Sequence, residues 1–475
     1  MNQNNISAAE LFLRVRELLI LPELEPKTRN KMMHDTLILC CHEGVKETKQ
    51  AFGNLFSQVD YLCKAHGIKV ADKIAIQTMR RHSNSQEPLS SEDLKYDARA
   101  LAIFISAVFG VDVPHELNVL IPHTNRPYQK GLEINNHRIR CIVKNWDSDF
   151  IRVDIDQDAN EEEYLVQLKD EENHIDHTYL WDILKEGMQL NLLDCQVKQP
   201  VITPRLIVVE PDYLVDISSI ATCFTAFGHH PLLYLLNQMK PRANTQATLL
   251  GNFAGAALDD IINTNGKYQM NETIKTNFRE KALEFCTCPW FDAKKFYTDA
   301  SLQAFNLQQV VDILFPRTAS QAQMSAFRGE SLYDRKKAIL EPSFVCEALG
   351  IQGRVDLMTT DCKLLVEQKS GRNMNIETHQ VDPGYHSYQL EPHYVQLLLY
   401  YGVLQHNFKL SNDRVNIRLL YSKYQPQDGL MVVAYYHKLF QEAITYRNQL
   451  VAASFEIAKE GFEHALNEFT PDVLN

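Results

Sequence analysis

Residues 351–371 read IQGRVDLMTTDCKLLVEQKSG, and this stretch predicts two short strands joined by a turn at 359–362. Side chains in a strand alternate between its two faces. In the second strand this alternation puts Glu367 and Lys369 on one face, and pairing of the strands brings Asp356 to the same face. We therefore expect Asp356, Glu367 and Lys369 to meet at one place.

Two carboxylates and an ammonium group held together are costly unless a cation or a phosphate joins them. Asp356 and Glu367 are therefore candidate ligands of Mg²⁺ or Mn²⁺, with the carbonyl oxygen of Gln368 as a further ligand. Lys369 would orient a water molecule or neutralise the charge that develops on a phosphate. Glu341 would supply another carboxylate or hold a metal-bound water. This set favours phosphodiester hydrolysis, and an ion pair on a surface hairpin is the structural alternative.

A strong helical pattern follows over residues 388–406. His393, Gln396 and Tyr400 recur in it at spacings of three and four, so they share one face of the helix. That face would look onto the two strands and organise the site. The structural alternative is an ordinary half-buried helix face.

Composition bounds the class of protein. The chain has 475 residues, of which 45% are hydrophobic and 23% charged, so two or three ordinary globular domains are expected. A net charge of −12 excludes a surface that is basic throughout, but it leaves room for a local basic groove. No apolar run is long enough to span a bilayer, so no membrane partner is expected. Ten scattered cysteines and the lack of a signal-peptide pattern predict a cytoplasmic protein.

The sequence predicts three regions and a fold of the α/β class. Residues 1–119 are predicted to be helical, with Ser7 and Glu10 spaced to cap the first helix. Residues 120–210 contain several short strands and predict a small, OB-like β-barrel domain. Residues 211–475 predict a mixed sheet flanked by helices.

Two sets of basic residues are candidates for nucleic-acid contact. Each is either a surface that contacts phosphates or an ordinary solvated surface. The set in the barrel region comprises Arg126, Lys130, Arg138, Arg140 and Lys144. The set before the two strands comprises Lys281, Lys294, Lys295, Arg328, Arg335, Lys336 and Lys337.

These motifs resemble the PD-(D/E)XK nucleases of the RecB-like branch, above all the nuclease domain of the replication flap nuclease-helicase and the CRISPR-adaptation exonucleases. The resemblance implies a restriction-endonuclease-like core over residues 211–475 and Mg²⁺- or Mn²⁺-dependent cleavage of single-stranded DNA ends or flaps. It also implies roles for individual residues. Asp356 and Glu367 would bind the metal, Asp356, Glu367, Lys369 and Glu341 would be catalytic, and Gln396, Tyr400, His393 and Arg372 would bind DNA or organise the site.

Two departures from the family pattern stand out. The family has a metal-binding histidine four residues after a glycine, whereas Gly251 is followed at that place by Gly255. Asp259, one turn later, would substitute for the histidine or would be a solvated or capping residue. The close relatives hold an iron–sulfur cluster with three cysteines after the final helix motif. No cysteine follows Cys362, so that cluster is not expected.

Two functions therefore remain open. The first is a metal-dependent deoxyribonuclease of DNA replication, repair or defence. The second is a catalytically degenerate nuclease-fold protein that binds nucleic acid or scaffolds a helicase. The chain has no Gly-x-x-x-x-Gly-Lys loop, so any helicase would lie on another chain or on a missing C-terminal portion.

Overall fold

The fold mixes helices with parallel and antiparallel strands, which confirms the predicted α/β class. The chain forms two compact units, one of residues 1–213 with 451–475 and the other of residues 214–450. No helix in the described part of the chain is long and apolar enough to cross a membrane. The computed structural model describes residues 6–21, 25–48, 50, 52–85, 88–126, 136–156, 163–225, 228–239, 244–264, 267–381, 388–410, 414–461, 463–464 and 467. The domain boundaries at 119/120 and 210/211 stay predictions.

Helices open the first unit and enclose a core of their own. The first helix begins with the predicted cap, because the Ser7 hydroxyl accepts the Glu10 N–H at 3.3 Å and the Glu10 carboxylate accepts the Ser7 N–H at 2.9 Å. The helices are α1 (Ala8–Ile20), α2 (Pro26–Gly44), α3 (Leu55–Ala65), α4 (Val70–Ser83), α5 (Ser91–Phe109) and α6 (His115–Asn118).

Strands complete the first unit, and they pack their apolar side chains into a second core. They include the five strands that the sequence patterns predict. The strands are β1 (Arg138–Trp146), β2 (Phe150–Ile155), β3 (Tyr164–Gln167), β4 (Lys169–Asp170), β5 (Ile175–Asp176), β6 (Gln189–Leu193), β7 (Gln196–Lys198), β8 (Val201–Thr203) and β9 (Leu206–Val209).

The predicted closed barrel over residues 120–210 is wrong for the part of the chain that is described. Seven strands form one sheet in the order β7-β8-β3-β2-β1-β6-β9, and its edge strands β7 and β9 do not pair with each other. Alternation of apolar and polar residues shows that one face of each strand is buried. It does not depend on whether the two sheet edges join, so the pattern cannot separate an open sheet from a barrel.

Three of the five basic residues proposed as a nucleic-acid face in this region pair with carboxylates. Arg126 pairs with Asp93, Arg140 bonds Asp212 at 2.8 Å and Lys144 lies 3.2 Å from Asp154. Lys130 lies outside the described residues. These internal pairs favour the interpretation of an ordinary surface over that of a phosphate-binding face.

The second unit contains residues 351–371 and the strands that they form. Its elements in chain order are β10 (Val215–Asp216), α7 (Ile217–Ala221), β11 (Phe224–Thr225), β12 (Gly228–His229), α8 (Leu232–Met239), α9 (Gln246–Asn263), α10 (Met270–Glu280), α11 (Ala282–Cys286), α12 (Ala293–Leu314), α13 (Ala319–Phe327), β13 (Ala338–Leu340), β14 (Ser343–Cys346), β15 (Ile351–Arg354), β16 (Leu357–Thr359), β17 (Leu364–Lys369), α14 (Met374–Thr378), α15 (Glu391–Phe408), β18 (Asn416–Tyr421), α16 (Pro426–Gly429), β19 (Leu430–Val432) and α17 (His437–Glu460).

Two sheets organise this unit. One has the strand order β10-β15-β14 and the other β13-β16-β17-β18-β19. β17 and β18 are parallel, so the chain between them must cross over, and α15 lies in that crossover. Apolar residues of α9 and α12 pack with those of β16, β17 and β18 in one core.

A half-buried ion cluster holds the beginning of α15. His229 of β12 bonds Glu391 through Nε2 at 2.6 Å and Glu442 of α17 through Nδ1 at 2.7 Å. Burial alone would lower the pKa of His229, but these two carboxylates outweigh it and the pKa is raised. An imidazole that donates from both nitrogens is a cation, so His229 joins one glutamate of α15 to one of α17 and fixes the helix that carries His393, Gln396 and Tyr400.

Candidate active site

Asp356 and Glu367 lie opposite each other in adjacent chain segments. β16 pairs with β17 through Leu357 with Val366 and Met358 with Leu365, so one further step in this register opposes Asp356 to Glu367. The Asp356 carboxylate also accepts the Gln368 N–H at 2.6 Å. The predicted meeting of the two acidic residues therefore follows from strand register.

The predicted strand over 351–358 is in fact two strands that belong to different sheets. β15 pairs with β10 and β14, whereas β16 pairs with β13 and β17. The chain changes sheet at Val355 and Asp356, where the Asp356 carbonyl accepts the Glu341 N–H at 3.0 Å. This change places Glu341, which lies between β13 and β14, beside Asp356, which lies between β15 and β16.

Glu367 is a buried carboxylate with one unpaired oxygen. Its residue exposure is 2%, and its Oε1 accepts a hydrogen bond from Lys369 Nζ at 2.8 Å. Its Oε2 is buried and has no hydrogen-bond partner among the described residues. Leaving such an atom unpaired costs about 1–3 kcal/mol or more for a charged group. Carboxylate oxygens are preferred ligands of Mg²⁺ and Mn²⁺, so this atom fits a cation.

Lys369 is held between β17 and α15. Its Nζ donates to Glu367 Oε1 at 2.8 Å and to Gln396 Oε1 at 2.8 Å. An ammonium group has three protons, so one remains available to a water molecule or a phosphate oxygen. The predicted helix face thus meets the predicted strand face at Lys369.

Close contact with Tyr400 accounts for the glycine at position 353. The Tyr400 hydroxyl donates to the Arg354 carbonyl at 2.6 Å, and its ring lies against Gly353. A Cβ at Gly353 would come within 2.9 Å of the Tyr400 ring, so a larger residue would push the ring away. Tyr400 is therefore a support for β15 rather than a group that faces a ligand.

His393 has a defined tautomer. The fully buried Tyr421 hydroxyl accepts the Leu390 N–H at 3.0 Å and lies 3.0 Å from His393 Nδ1. The Leu390 N–H already occupies one lone pair of this hydroxyl, and we assign the hydroxyl proton to the bond with His393 Nδ1. His393 is therefore neutral, with its proton on Nε2. Burial and the nearby Lys369 also lower the pKa of His393 to about 4.

A cavity of about 570 Å³ joins these groups to α9. Its lining includes Gly255, Asp259, Glu341, Asp356, Lys369 and His393. Glu367 is bonded to Lys369 and is buried behind this lining. The cavity therefore has carboxylates together with hydrogen-bond donors, as a site for a cation and a phosphate requires.

Asp259 belongs to this cavity rather than to solvent. Burial, followed by the Glu341 and Asp356 carboxylates, raises the pKa of Asp259 to about 7. A Cβ added to Gly255 would meet nothing within 4 Å, so the gap that the sequence indicates is open space beside the cavity. The spacing of four from Gly251 to Gly255 to Asp259 is the sequence signal that puts them on one helix face.

The two acidic groups of the central strands are also perturbed. Burial, then the neighbouring Asp356, raises the pKa of Glu367 to about 8, although Lys369 acts to lower it. Burial raises the pKa of Asp356 against the effects of the Gln368 N–H and Lys369. Several carboxylates that resist ionisation together indicate a site that lacks positive charge.

A polar network that the sequence did not reveal supports the end of β17. Gln368 Nε2 donates to the Ser422 hydroxyl at 2.7 Å, which donates to Gln303 Oε1 at 2.6 Å. Gln303 Nε2 then donates to the Ser370 carbonyl at 3.1 Å. These buried groups join α12 to β17 and hold the strand that carries Glu367 and Lys369.

Arg372 does not face the cavity. Its side chain is 63% exposed and pairs with Glu377 of α14, which also accepts from Lys423 and Tyr424. The other seven residues named by the sequence analysis lie in or directly behind the cavity wall. Arg372 is separated from them because the chain turns away after Gly371.

The residues present fit a cation held by few protein ligands. Among the described residues, no group of three or more His, Cys, Asp and Glu side chains is arranged to hold a metal ion as it stands. Mg²⁺ commonly uses one or two carboxylates, with waters and substrate phosphates completing its shell. Asp356 and the unpaired Glu367 oxygen meet that smaller requirement.

A scan against models of known protein families finds none that matches this chain, and a search of curated proteins returns no significant match. The function must therefore be argued from the residues of the site.

Proposed function

We propose that this chain is a Mg²⁺- or Mn²⁺-dependent deoxyribonuclease with a PD-(D/E)XK core of the RecB-like type. One observation carries the proposal. Glu367 keeps a buried, unpaired carboxylate oxygen opposite Asp356, while its other oxygen holds Lys369. That arrangement is costly in isolation and useful around a cation and a phosphate.

The arrangement of elements supports the restriction-endonuclease-like core. α9 precedes the antiparallel strands β16 and β17, and the α15 crossover leads to the parallel strand β18. Acidic residues and the lysine lie at one end of this sheet, between α9 and α15. A mixed sheet flanked by helices is what the resemblance implies for such a core.

Each residue has a role in the proposed reaction. Asp356 and Glu367 would hold the cation, with Asp259 and Glu341 near enough to bind its waters. The cation, when bound, supplies a polarised phosphate and a more acidic water. Lys369 would give a hydrogen bond from its remaining N–H to a phosphate oxygen or to the oxygen of the attacking water, and Gln396 keeps Lys369 in place.

The substrate and the partners rest on the resemblance alone. Single-stranded DNA ends or flaps are the proposed substrate, in replication, repair or defence. A helicase on another chain or on a missing C-terminal portion is the proposed partner. The direct test is incubation of the full chain with end-labelled single-stranded and flap DNA, with and without Mn²⁺. No cleavage of any of these substrates would contradict the proposal.

A second candidate function is a nuclease-fold protein that binds nucleic acid or a helicase without cutting. The open space at Gly255, where the family has a histidine, favours it. Tight DNA binding by wild-type protein, with neither turnover nor binding of Mn²⁺, would support this candidate.

We expect Gly255→His to tighten Mn²⁺ binding about tenfold or more and to change Mg²⁺ binding little, because imidazole prefers transition-metal ions. The open space leaves room for the ring. Calorimetric titration measures both affinities. Gly255→Ala is the matched control, since it changes helix propensity without adding a ligand. Unchanged Mn²⁺ affinity in the histidine variant would place the cation away from α9.

His393 lines the cavity, where its Nε2–H would donate to a phosphate oxygen, so we expect His393→Gln to keep kcat/KM within about threefold and His393→Asn and His393→Ala to lose about a hundredfold. Glutamine places an N–H near the position of Nε2, and asparagine places one near Nδ1. Because the pKa of His393 is lowered to about 4, its replacement should not alter the pH profile between about pH 6 and pH 8. Rescue by asparagine and not by glutamine would reverse the assigned tautomer.

A further inference from the structure

Three large apolar side chains are displayed beside the candidate active site. Trp290 is 97% exposed, Leu283 is 78% exposed and Phe278 is 43% exposed. They lie on α10, α11 and the connection from α11 to α12, and we call them the aromatic shelf. Isolated exposed apolar residues are common, but a cluster containing a fully displayed tryptophan indicates an interaction surface.

The aromatic shelf stands on a rigid base. Phe278 stacks on Phe285 with ring centroids 4.1 Å apart, and Phe285 contacts Phe291 and Phe296 at 5.3 Å in each case. Phe285 and Phe296 are buried in the core of the unit. Trp290 precedes Phe291 directly, so its backbone is anchored beside these packed rings, whereas its indole is almost fully exposed. Phe278, which is held against Phe285, loses little entropy when a ligand stacks on it.

The aromatic shelf adjoins the cavity through α10 and α9. Asn277, Glu280 and Lys281 flank Phe278 in sequence, and all three line the cavity. The connection that carries Trp290 is tied to the beginning of α9, because the Asp292 N–H donates to Gln246 Oε1 at 2.9 Å. The same helix lines the cavity further along. A ligand chain that leaves the cavity past Lys281 therefore meets the aromatic shelf.

Exposed cations lie beside the aromatic shelf. Residues 272–295 contain five Lys and Arg residues and four Asp and Glu residues, and among them Lys275 pairs with Glu272 and Lys281 with Glu284. Lys294 and Lys295 are exposed and form no ion pair within the described residues. Cations beside exposed rings suit a ligand with anionic groups and flat apolar faces.

We propose that the aromatic shelf stacks the bases of single-stranded nucleic acid whose backbone enters the cavity. The position of the strand rests on the proposed function, since it takes the cavity as the place of a phosphate. Unpaired bases offer free faces to Trp290, whereas the bases of a duplex cover one another. Arg279, Lys281, Lys294 and Lys295 lie where they contact the phosphates of that strand.

The test measures binding of the full chain to a fluorescein-labelled oligothymidylate by anisotropy, in EDTA so that no metal-dependent cleavage occurs. We expect Trp290→Ala to weaken binding about tenfold, the usual effect of losing one base–aromatic contact. Phe327→Ala is the matched control, because Phe327 is 90% exposed at the end of α13, away from the aromatic shelf, and binding should not change. Duplex DNA should bind both variants as it binds the wild type.

An abasic oligonucleotide identifies the interaction as stacking. It keeps the phosphates and lacks the bases, so it should bind wild-type protein at least as weakly as the intact strand binds Trp290→Ala, and Trp290→Ala should not weaken binding of the abasic strand any further. Equal binding of the intact strand by wild type and Trp290→Ala would overturn the proposal and leave the aromatic shelf to a protein partner. An equal loss with the abasic strand would overturn it too.

These outcomes are distinguishable from failure of the proposed function. If oligonucleotide binding depends on Trp290 but the protein never cleaves DNA, the base-stacking role of the aromatic shelf is supported and the nuclease function is contradicted. Metal-dependent cleavage with binding that is indifferent to Trp290 would reject the aromatic shelf alone.

Discussion

Replacing Lys369 with alanine is expected to lower the rate of metal-dependent DNA cleavage by about a thousandfold. Lys369 Nζ holds both Glu367 and Gln396 at 2.8 Å and has one proton left for the reaction. The substitution removes that donor and also the hydrogen bond that Lys369 gives to the buried Glu367 carboxylate. Initial rates on end-labelled single-stranded and flap DNA with Mn²⁺ measure the loss.

Lys363→Ala is the matched control for this result. Lys363 precedes the same strand, its side chain is 68% exposed, and its nearest ionic partner, Asp361, is 4.0 Å away. Its replacement should leave the rate unchanged. A thermal melt of Lys369→Ala must show a folded protein before its rate is interpreted. Equal rates for wild type and a folded Lys369→Ala protein would show that Lys369 takes no part in the reaction.

Millimolar Mn²⁺ is expected to raise the melting temperature by about 5–10 °C near pH 8.5 and by about 2 °C or less near pH 5. The pKa of Glu367 is raised to about 8 and that of Asp259 to about 7. A carboxyl group with a raised pKa stabilises the fold below its unfolded pKa of about 4, and this contribution is lost as pH rises through the folded pKa. The metal-free protein therefore loses stability between about pH 4 and pH 8. Mn²⁺ binds the ionised carboxylates and restores the stability that the metal-free protein loses.

Two substitutions separate this effect from general ion binding. Asp259→Asn should reduce the pH dependence of the metal-free melting temperature, because it removes one of the groups that resist ionisation. Asp299→Asn, on α12 outside the cavity lining, should behave as wild type. A Mn²⁺ shift that is equal at both pH values, or that persists in Asp356→Ala, would contradict a cation site at these carboxylates.

Local spacing was enough to predict the acidic and basic side chains that meet. Glu367 and Lys369 share a face because a strand has a period of two, and His393, Gln396 and Tyr400 share one because a helix has a period near four. Neither relation depends on distant parts of the chain. Arg372 has no such periodic relation to the others, and its actual partner Glu377 lies in the following helix.

Features that depend on distant contacts were predicted less well. The OB-like barrel is an open sheet in the described residues, since alternation does not report how sheet edges pair. The strand break before Asp356 depends on distant pairing. β14 pairs with the first half of residues 351–359, and β13 pairs with the second half. The sequence could not decide whether Asp259 belongs to the site or is a solvated residue. Only the packing of α9 determines whether the face that carries Asp259 meets the cavity.

The amino-acid sequence by itself determined which chemistry could be assembled, namely carboxylates, a lysine and a helix face at spacings that strands and helices impose. Tertiary structure alone decided which of these groups share a cavity, which Glu367 oxygen stays unpaired and which ring nitrogen of His393 carries the proton. The physical reason is the range of the interactions. Backbone periodicity acts over a few residues, whereas burial, register and hydrogen-bond partners are set by segments about a hundred residues apart, such as α9 and β17.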